Sequence, residues 1–520
     1  MGSNIRDPQE MSGGIENSST SITESTFAVT ERTDVDTLLA PRPLLPRLDP
    51  SAPYTMTIGG KAVTSPTSFE VYNPATNAVL GHAPEATHEQ LQTAIDSARA
   101  AFPAWSALSW DEREAYLVNF AQAIEANKDE FITLLTLEQG KPRHSMATSE
   151  VEAAIFWIKE ISKLRLDATV LERNDSHTVE AHHVPLGVVG AITPWNFPVL
   201  LGLWKVAPCL LTGNTMVLKP SPYTPLCTLR FGEIARETLP PGVLNIVSGG
   251  NELGQWMTED PSIAKISFTG STATGRKVMA SSSVNLKRVT LELGGNDPAI
   301  VCADVDIKAL VPTLFWAAFG NSGQWCIAVK RLYVHADIYA EFLAEFVAYA
   351  RTITVGDGMD PKTDLGPIQN RMQYGKLLDL FADIRSNGYS VPIGGTIDES
   401  LAGNFVPVTV VDNPPDTSRI VKEEPFGPVL PILSWSNVDD VVARANDTPF
   451  GLAASVWSND RDAAIAIANR LEAGTVWVNE IHIHGVTIPF GGHKLSGMGV
   501  ENGLDGLAEF TNIKTYMFKS

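Results

Sequence analysis

From residue 187 the chain alternates short apolar, β-branched runs with helix-length segments, and this alternation constrains the fold more than any other feature. Strands are predicted at 188–193, 215–219, 243–248 and 264–269, with helices near 199–211 and 224–238. Parallel strands must be joined by crossover connections, most economically by a helix, so the pattern implies a doubly wound, mostly parallel sheet. Such sheets bind ligands beyond the carboxyl ends of their strands, which makes each following loop a candidate contact. A second α/β region spans 298–495, with strands at 331–334, 455–457 and 474–478. Upstream, 56–63 and 69–72 read as short strands and Asn73-Pro74-Ala75-Thr76 as a turn. Helical spacing then covers 88–104, 110–127 and 128–139, stopped by Gly140 and Pro142.

Length and charge exclude several classes. A chain of 520 residues predicts two or three domains, without need of disulfides or metals. Its 59 acidic residues against 39 basic oppose broad attraction to nucleic acid or an anionic membrane surface. Cys209, Cys227, Cys302 and Cys326 form no C-x-x-C pair and no regular framework, which argues for a reducing compartment and against a metal ribbon. The first fifty residues, rich in Ser, Thr, Asp and Glu, are expected to be a disordered tail. They lack the apolar core of a secretory signal and the Arg-rich, acid-poor character of a presequence, and Arg6 breaks a myristoylation motif, so a cytoplasmic location is expected. The apolar stretch 188–211 is interrupted by Pro194, Pro198, Lys205 and Pro208, which favours strand plus helix over a membrane span.

Four segments carry chemistry. Gly270-Ser271-Thr272-Ala273-Thr274-Gly275 follows a strand and opens a helix, where backbone amides can cradle phosphate, although it matches neither the P-loop nor G-x-G-x-x-G. By itself it is either a structural turn or a phosphate loop. Cys326 follows a Gly-Gln turn and precedes Lys330-Arg331, a setting that can expose and electrostatically activate a thiol; the other three cysteines sit in apolar contexts and read as core. Glu292, in an apolar strand-like run, is either a paired structural acid or a base with a raised pKa. Asn196, just past a strand end, can cap a turn or donate its amide to an oxyanion.

Taken together and in order, Pro194 to Pro198, Val217 to Ser221, Phe268 to Gly275, Leu291 to Gly295, Gly323 to Cys326, Glu423 to Pro428 and Pro489 to Gly497 resemble the aldehyde dehydrogenase superfamily from about residue 56 onward. The resemblance implies an α/β protein with a Rossmann-like cofactor domain (51–165 and 187–294), an α/β catalytic domain (295–507) and a small β oligomerisation extension (166–186 and 508–520), after a tail at 1–50. It further implies a homodimer or homotetramer.

By position, the resemblance makes Cys326 the nucleophile toward an aldehyde, with the Asn196 amide and the Cys326 N–H holding the oxyanion and Glu292 activating water to hydrolyse a thioester. Thr193, Pro194, Trp195, Lys219, Gly250, Gly254, Gly270, Ser271, Gly275, Leu293, Glu424 and Phe426 correspond to cofactor contacts. Many NAD-preferring relatives carry Glu where this chain has Pro222; NAD remains the favoured cofactor, with NADP use admitted by the missing carboxylate. Trp204, Trp325, His484 and Phe490, with Leu200, Leu201 and His482 nearby, match the substrate tunnel and suggest a medium-sized apolar or aromatic aldehyde. The competing readings are a CoA-acylating or phosphorylated-aldehyde dehydrogenase, and a non-catalytic crystallin-like relative. Glu292 argues against acylating chemistry, and the intact Cys326, Glu292 and Asn196 argue against a silent relative.

Overall fold

The computed structural model describes residues 52–520; the expected tail at 1–50 lies outside the described residues. Two large sheets organise the rest. The first has the central order Leu244–Ile246, Thr215–Lys219, Val188–Ile192, Ile263–Thr269, Arg288–Glu292, all parallel. In chain order this is third, second, first, fourth, fifth. The direction of winding therefore reverses between Val188–Ile192 and Ile263–Thr269, and the reversal leaves a crevice beyond the carboxyl ends of these two strands. Antiparallel pieces close both edges: Met56–Ile58 on one side and Gly497–Met498 on the other.

The segment 56–63, predicted as one strand, is a hairpin of Met56–Ile58 with Lys61–Val63. Gly59 and Gly60, at φ of 59° and 72°, form its turn, since two successive positive φ values suit the twist of the flanking strands. Helices His88–Ser106 and Trp110–Ala126 each begin with a capping box, from Thr87 with Gln90 and Ser109 with Glu112. Lys128–Gln139 ends at Gly140 with φ 99°, the left-handed stop expected there. Helix Thr148–Ile161, preceded by a wide turn at Arg143–Ala147, was not evident in the sequence reading. Among the described residues no helix is long and apolar enough to cross a membrane; Pro198–Leu211 spans 14 residues.

The second sheet runs Ser390–Ile393, Thr409–Asp412, Val429–Trp435, Val329–His335, Asp297–Val301, Ala453–Trp457, Thr475–Val478, parallel except at its first pair. Alternation along these strands feeds two cores. Ile300, Tyr333, Leu433 and Val456 pack on one face, and Ala299, Val301, Leu332, Val334 and Ile432 on the other. Burial of both faces explains why these strands read as apolar runs without clean alternation of polarity. A third sheet joins Thr511–Lys519, His177–Pro185 and Thr169–Arg173 as antiparallel neighbours, bringing together the segments expected to form the extension.

Candidate active site

Each loop at the crevice is fixed by buried polar contacts. Past Ile192, Thr193 N donates to Lys219 O at 3.1 Å, and Pro198 opens helix Pro198–Leu211, where a missing N–H costs nothing. The free amides of Val199 and Leu200 donate to the Glu150 carboxylate at 2.9 and 3.1 Å. Glu150 pairs with Lys141, both side chains fully buried. Lys141 Nζ also donates to Asn196 O at 2.8 Å and stands 3.8 Å above the Phe197 ring. The backbone of Asn196 is thereby clamped, and its side-chain Nδ2 donates to Gln324 O at 3.1 Å.

Gln324 belongs to the turn that carries Cys326. Helix Ile307–Phe319 ends in a tight turn where Asn321 and Ser322 take φ of 52° and 56°, unfavourable for side chains other than glycine. Asn321 Nδ2 bridges Asn196 O and Gln324 O at 3.1 and 3.2 Å, and Gln324 Nε2 returns to Asn321 O at 3.0 Å. Strain in the turn is held by this network, which ties the Asn196 loop to the Cys326 loop.

At the neighbouring strand end, Gly270 N donates to Glu292 O at 3.0 Å, and Ser271 caps helix Thr272–Ser282 by accepting from Thr274 N at 3.3 Å. A Cβ on Gly275 would stand 2.6 Å from Leu293 Cδ2, so this glycine lets the helix approach the strand that bears Glu292.

Pro194, Trp195, Asn196, Gly270, Ser271, Leu293, Cys326, Glu424 and Phe426 line one cavity of about 480 Å³ in the crevice. Thr269, Gly294 and Glu423, which the quoted motifs contain without a role of their own, line it too, as do Gln373, Lys376 and Arg419, which no motif contains. Gln373 could be found only in three dimensions: its Nε2 donates to Pro425 O and Phe426 O at 2.8 and 3.2 Å, holding Phe426 at φ 49°. The Thr193 and Thr269 hydroxyls are buried without a hydrogen-bond partner among the described residues. Unpaired hydroxyls and free helix amides beside a cavity suit a polar, phosphate-bearing cofactor.

Other expected residues lie outside this cavity. Lys219 is buried, donates to Pro220 O at 3.3 Å and is pushed down to about 8 by desolvation; Gly254 packs beside its stem. Gly250 borders a separate groove of about 290 Å³ with Glu85, His88, Glu252 and Trp256.

Burial dominates the electrostatics. The Cys326 thiol is pushed up to about 12, chiefly by desolvation, with Lys330 pulling it down and Glu424, Asp297 and Glu292 pushing it up. The expected activation by both following bases is therefore corrected: Arg331 is turned away, donating to Asn296 O, Arg444 O and Ala445 O, and Lys330 alone acts. Glu292 is buried, neither carboxyl oxygen has a hydrogen-bond partner among the described residues, and desolvation with nearby Glu501 raises its pKa well above the usual carboxylate range. Of the two roles left open for this acid, pairing is not observed. Lys205 opposes the rise while ion-paired with Glu501 and donating to Ser267 Oγ at 3.2 Å.

Trp204, Trp325, His484 and Phe490, expected to line a substrate tunnel and none of which lines this cavity, form an aromatic group. Trp204 stacks on Trp157 at 5.3 Å and meets Phe490 and His484 edge-on at 6.2 and 6.4 Å. Trp325 contacts Phe197 at 5.2 Å and His482 at 4.2 Å, joining this group to the neighbours of Asn196 and Cys326. His482 donates through Nε2 to Ile327 O at 2.9 Å. Burial lowers His482 to about 3 and His484 to about 4, so both imidazoles are neutral near pH 7.

Comparison with known proteins gives a consistent result. The sequence model of the aldehyde dehydrogenase family matches residues 62–516. Aldehyde dehydrogenase LUC3 of Fusarium sp is 40% identical over 464 residues, covering 89% of this chain and 98% of that protein. Among solved structures, the NAD+ complex of aldehyde dehydrogenase from Bacillus cereus superposes with a TM-score of 0.87 at 34% identity, over 90% of this chain and 96% of that one. An NADP-dependent enzyme of E. coli gives a TM-score of 0.87 at 35% identity, over 90% and 98%.

Proposed function

The chain belongs to the aldehyde dehydrogenase family, an NAD(P)-dependent enzyme lineage, and within it we propose that this enzyme oxidises a medium-sized apolar or aromatic aldehyde to its carboxylic acid. The reading rests on one observation above the others: Asn196 and the Cys326 turn, 128 residues apart by their Asn196–Gln324 bond, are fastened together, and Asn196 and Cys326 both line the one cavity.

The proposed roles are those the family resemblance implies, and the geometry supports them. Cys326, once deprotonated, attacks the aldehyde carbonyl. Its raised pKa means that the thiolate forms only when a base or a change of local charge removes the proton. One N–H of the Asn196 amide is taken by Gln324 O, which orients the other toward the developing oxyanion beside the Cys326 N–H. Donors so placed are worth about 3–4 kcal/mol each in the transition state. The cofactor, when bound, supplies the hydride acceptor. Glu292, once ionised, then takes a proton from the water that cleaves the thioester, a task suited to a carboxylate whose basicity burial has raised.

For the cofactor, the nicotinamide half is assigned to Glu424 and Phe426, which line the cavity, and the pyrophosphate to Ser271 and the amides of its helix. Lys219 and Gly254 are assigned to the adenosine half. NAD+ is the proposed preference, with NADP+ accepted because Pro222 supplies no repelling carboxylate. The aromatic group around Trp204 supports the substrate class, and the Trp204 Nε1 and His484 imidazole give it a polar edge. A cytoplasmic homodimer or homotetramer, assembled through the three-stranded sheet, completes the proposal.

The test is absorbance of reduced cofactor with aliphatic and aromatic aldehydes, run separately with NAD+ and NADP+. Turnover is expected with both, greater with NAD+, and is lost in Cys326→Ala. No turnover with either cofactor, or normal rates in Cys326→Ala, would refute the reading.

A further inference from the structure

The strand Val329–His335 begins three residues after the thiol, and its second residue is the feature no role above absorbs. Lys330 folds back beneath the turn instead of following the strand outward. Its Nζ donates to Trp325 O at 2.9 Å, Cys326 O at 2.7 Å and Ala328 O at 3.3 Å. An ammonium has three protons, and all three are spent on the carbonyls of the nucleophile turn. The side chain is 3% exposed, so its charge is little screened by water. Its ion-pair partner is Glu424, Oε1 at 3.4 Å, and the same oxygen accepts from Gly295 N at 3.1 Å.

Resting on the assignment of Cys326 as nucleophile and Glu424 as a cofactor ligand, we propose that Lys330 is a positioning residue that couples the two: whatever engages Glu424 from the cavity resets the positive charge felt by the thiol. With Glu424 turned toward Lys330, the cation is partly neutralised. A hydroxyl-bearing ligand that hydrogen-bonds this carboxylate, such as a ribose diol, competes for its charge and leaves more of the ammonium's field to Cys326. The remaining charged groups that act on the thiol are Asp297 and Glu292, both opposing Lys330. Lys376, which lines the cavity, also acts on Glu424. Lys330 also explains the form of the turn, since its three carbonyls converge on one cation.

The experiment measures the rate of carboxamidomethylation of Cys326 by iodoacetamide at fixed pH in the full-length enzyme, read by peptide mass mapping. In Lys330→Met the rate is expected to fall about tenfold, the loss of thiolate that one pH unit represents. Lys330→Arg should keep most of the wild-type rate. Glu424→Gln should raise the rate, and because Glu424 also opposes the thiolate directly, the gain should be smaller when Lys330→Met is already present. An unchanged rate in Lys330→Met, or an equal gain from Glu424→Gln with and without Lys330, overturns the proposal, and so does a Lys330→Arg variant as slow as Lys330→Met, which would assign the effect to packing of the turn. Should Lys330→Met fail to fold, Lys330→Gln, neutral and still a donor to the carbonyls, takes its place. Alkylation does not require turnover, so oxidation persisting in Cys326→Ala would sink the nucleophile assignment without touching this measurement.

Discussion

Glu292 and Cys326 are both moved by burial, in the same direction and with opposite consequences. A raised carboxyl is a stronger base, whereas a raised thiol is a rarer nucleophile. Because Glu292 has no side-chain hydrogen-bond partner to lose among the described residues, Glu292→Gln should fold normally. It should also uncouple the two halves of the reaction: a burst of reduced cofactor near one per site, then turnover slowed about 10²–10⁴-fold. Rapid-mixing absorbance checks both, and steady turnover without a burst would remove the acid from hydrolysis. Cys326, Glu292 and Asn196 were nameable from the sequence because each lies in a short, distinctive motif. Their supports were not. Lys205 meets Glu501 across 296 positions, and Asn321 meets Asn196 across 125, distances at which local sequence carries no pairing information.

The segment between Thr475–Val478 and Phe490 shows how an element can couple stability to pH. It buries two imidazoles, and His484, held near 4 by desolvation alone, is the simpler case. A depressed folded-state pKa contributes stability that is complete above the unfolded value of 6.5 and is lost as pH falls through about 4. The loss from His484 reaches about 2 kcal/mol at pH 5. His484→Phe should therefore flatten the fall in melting temperature between pH 7 and 5 and leave the neutral-pH value little changed; an equally steep fall would mean that other groups govern acid sensitivity. Elements with clear punctuation were legible: Lys128–Gln139 and Thr215–Lys219 match the expected bounds. Helix Thr148–Ile161 was not, because Ala153-Ala154-Ile155-Phe156-Trp157 is a continuous apolar run that obscures the helical period.

Across the whole molecule, the doubly wound sheet followed from strand–helix alternation, but its strand order, and hence the position of the crevice, required the pairing itself. The three-stranded sheet raises a different matter. Thr511–Lys519 is a nine-residue edge with Ile513 and Met517 exposed at 70% and 77%. A long edge strand with exposed apolar side chains, even one that also carries Lys514 and Lys519, is open to pairing unless covered, which supports its proposed place in a subunit interface. Replacing Ile513 and Met517 with Lys together should shift the enzyme toward monomer in sedimentation, with the 480 Å³ cavity intact; an unchanged sedimentation coefficient would place the interface elsewhere. One earlier feature also sets a timetable. The strand ending at Glu292 is bordered by Gly497–Met498, with Leu291 opposite Met498, and Leu293 N donates to Ser496 O. Synthesis delivers these partners roughly two hundred residues after Glu292, so a ribosome-bound chain has its thiol long before it has the neighbours of its acid. Completion of that edge makes catalytic competence a late event in the life of the nascent polypeptide.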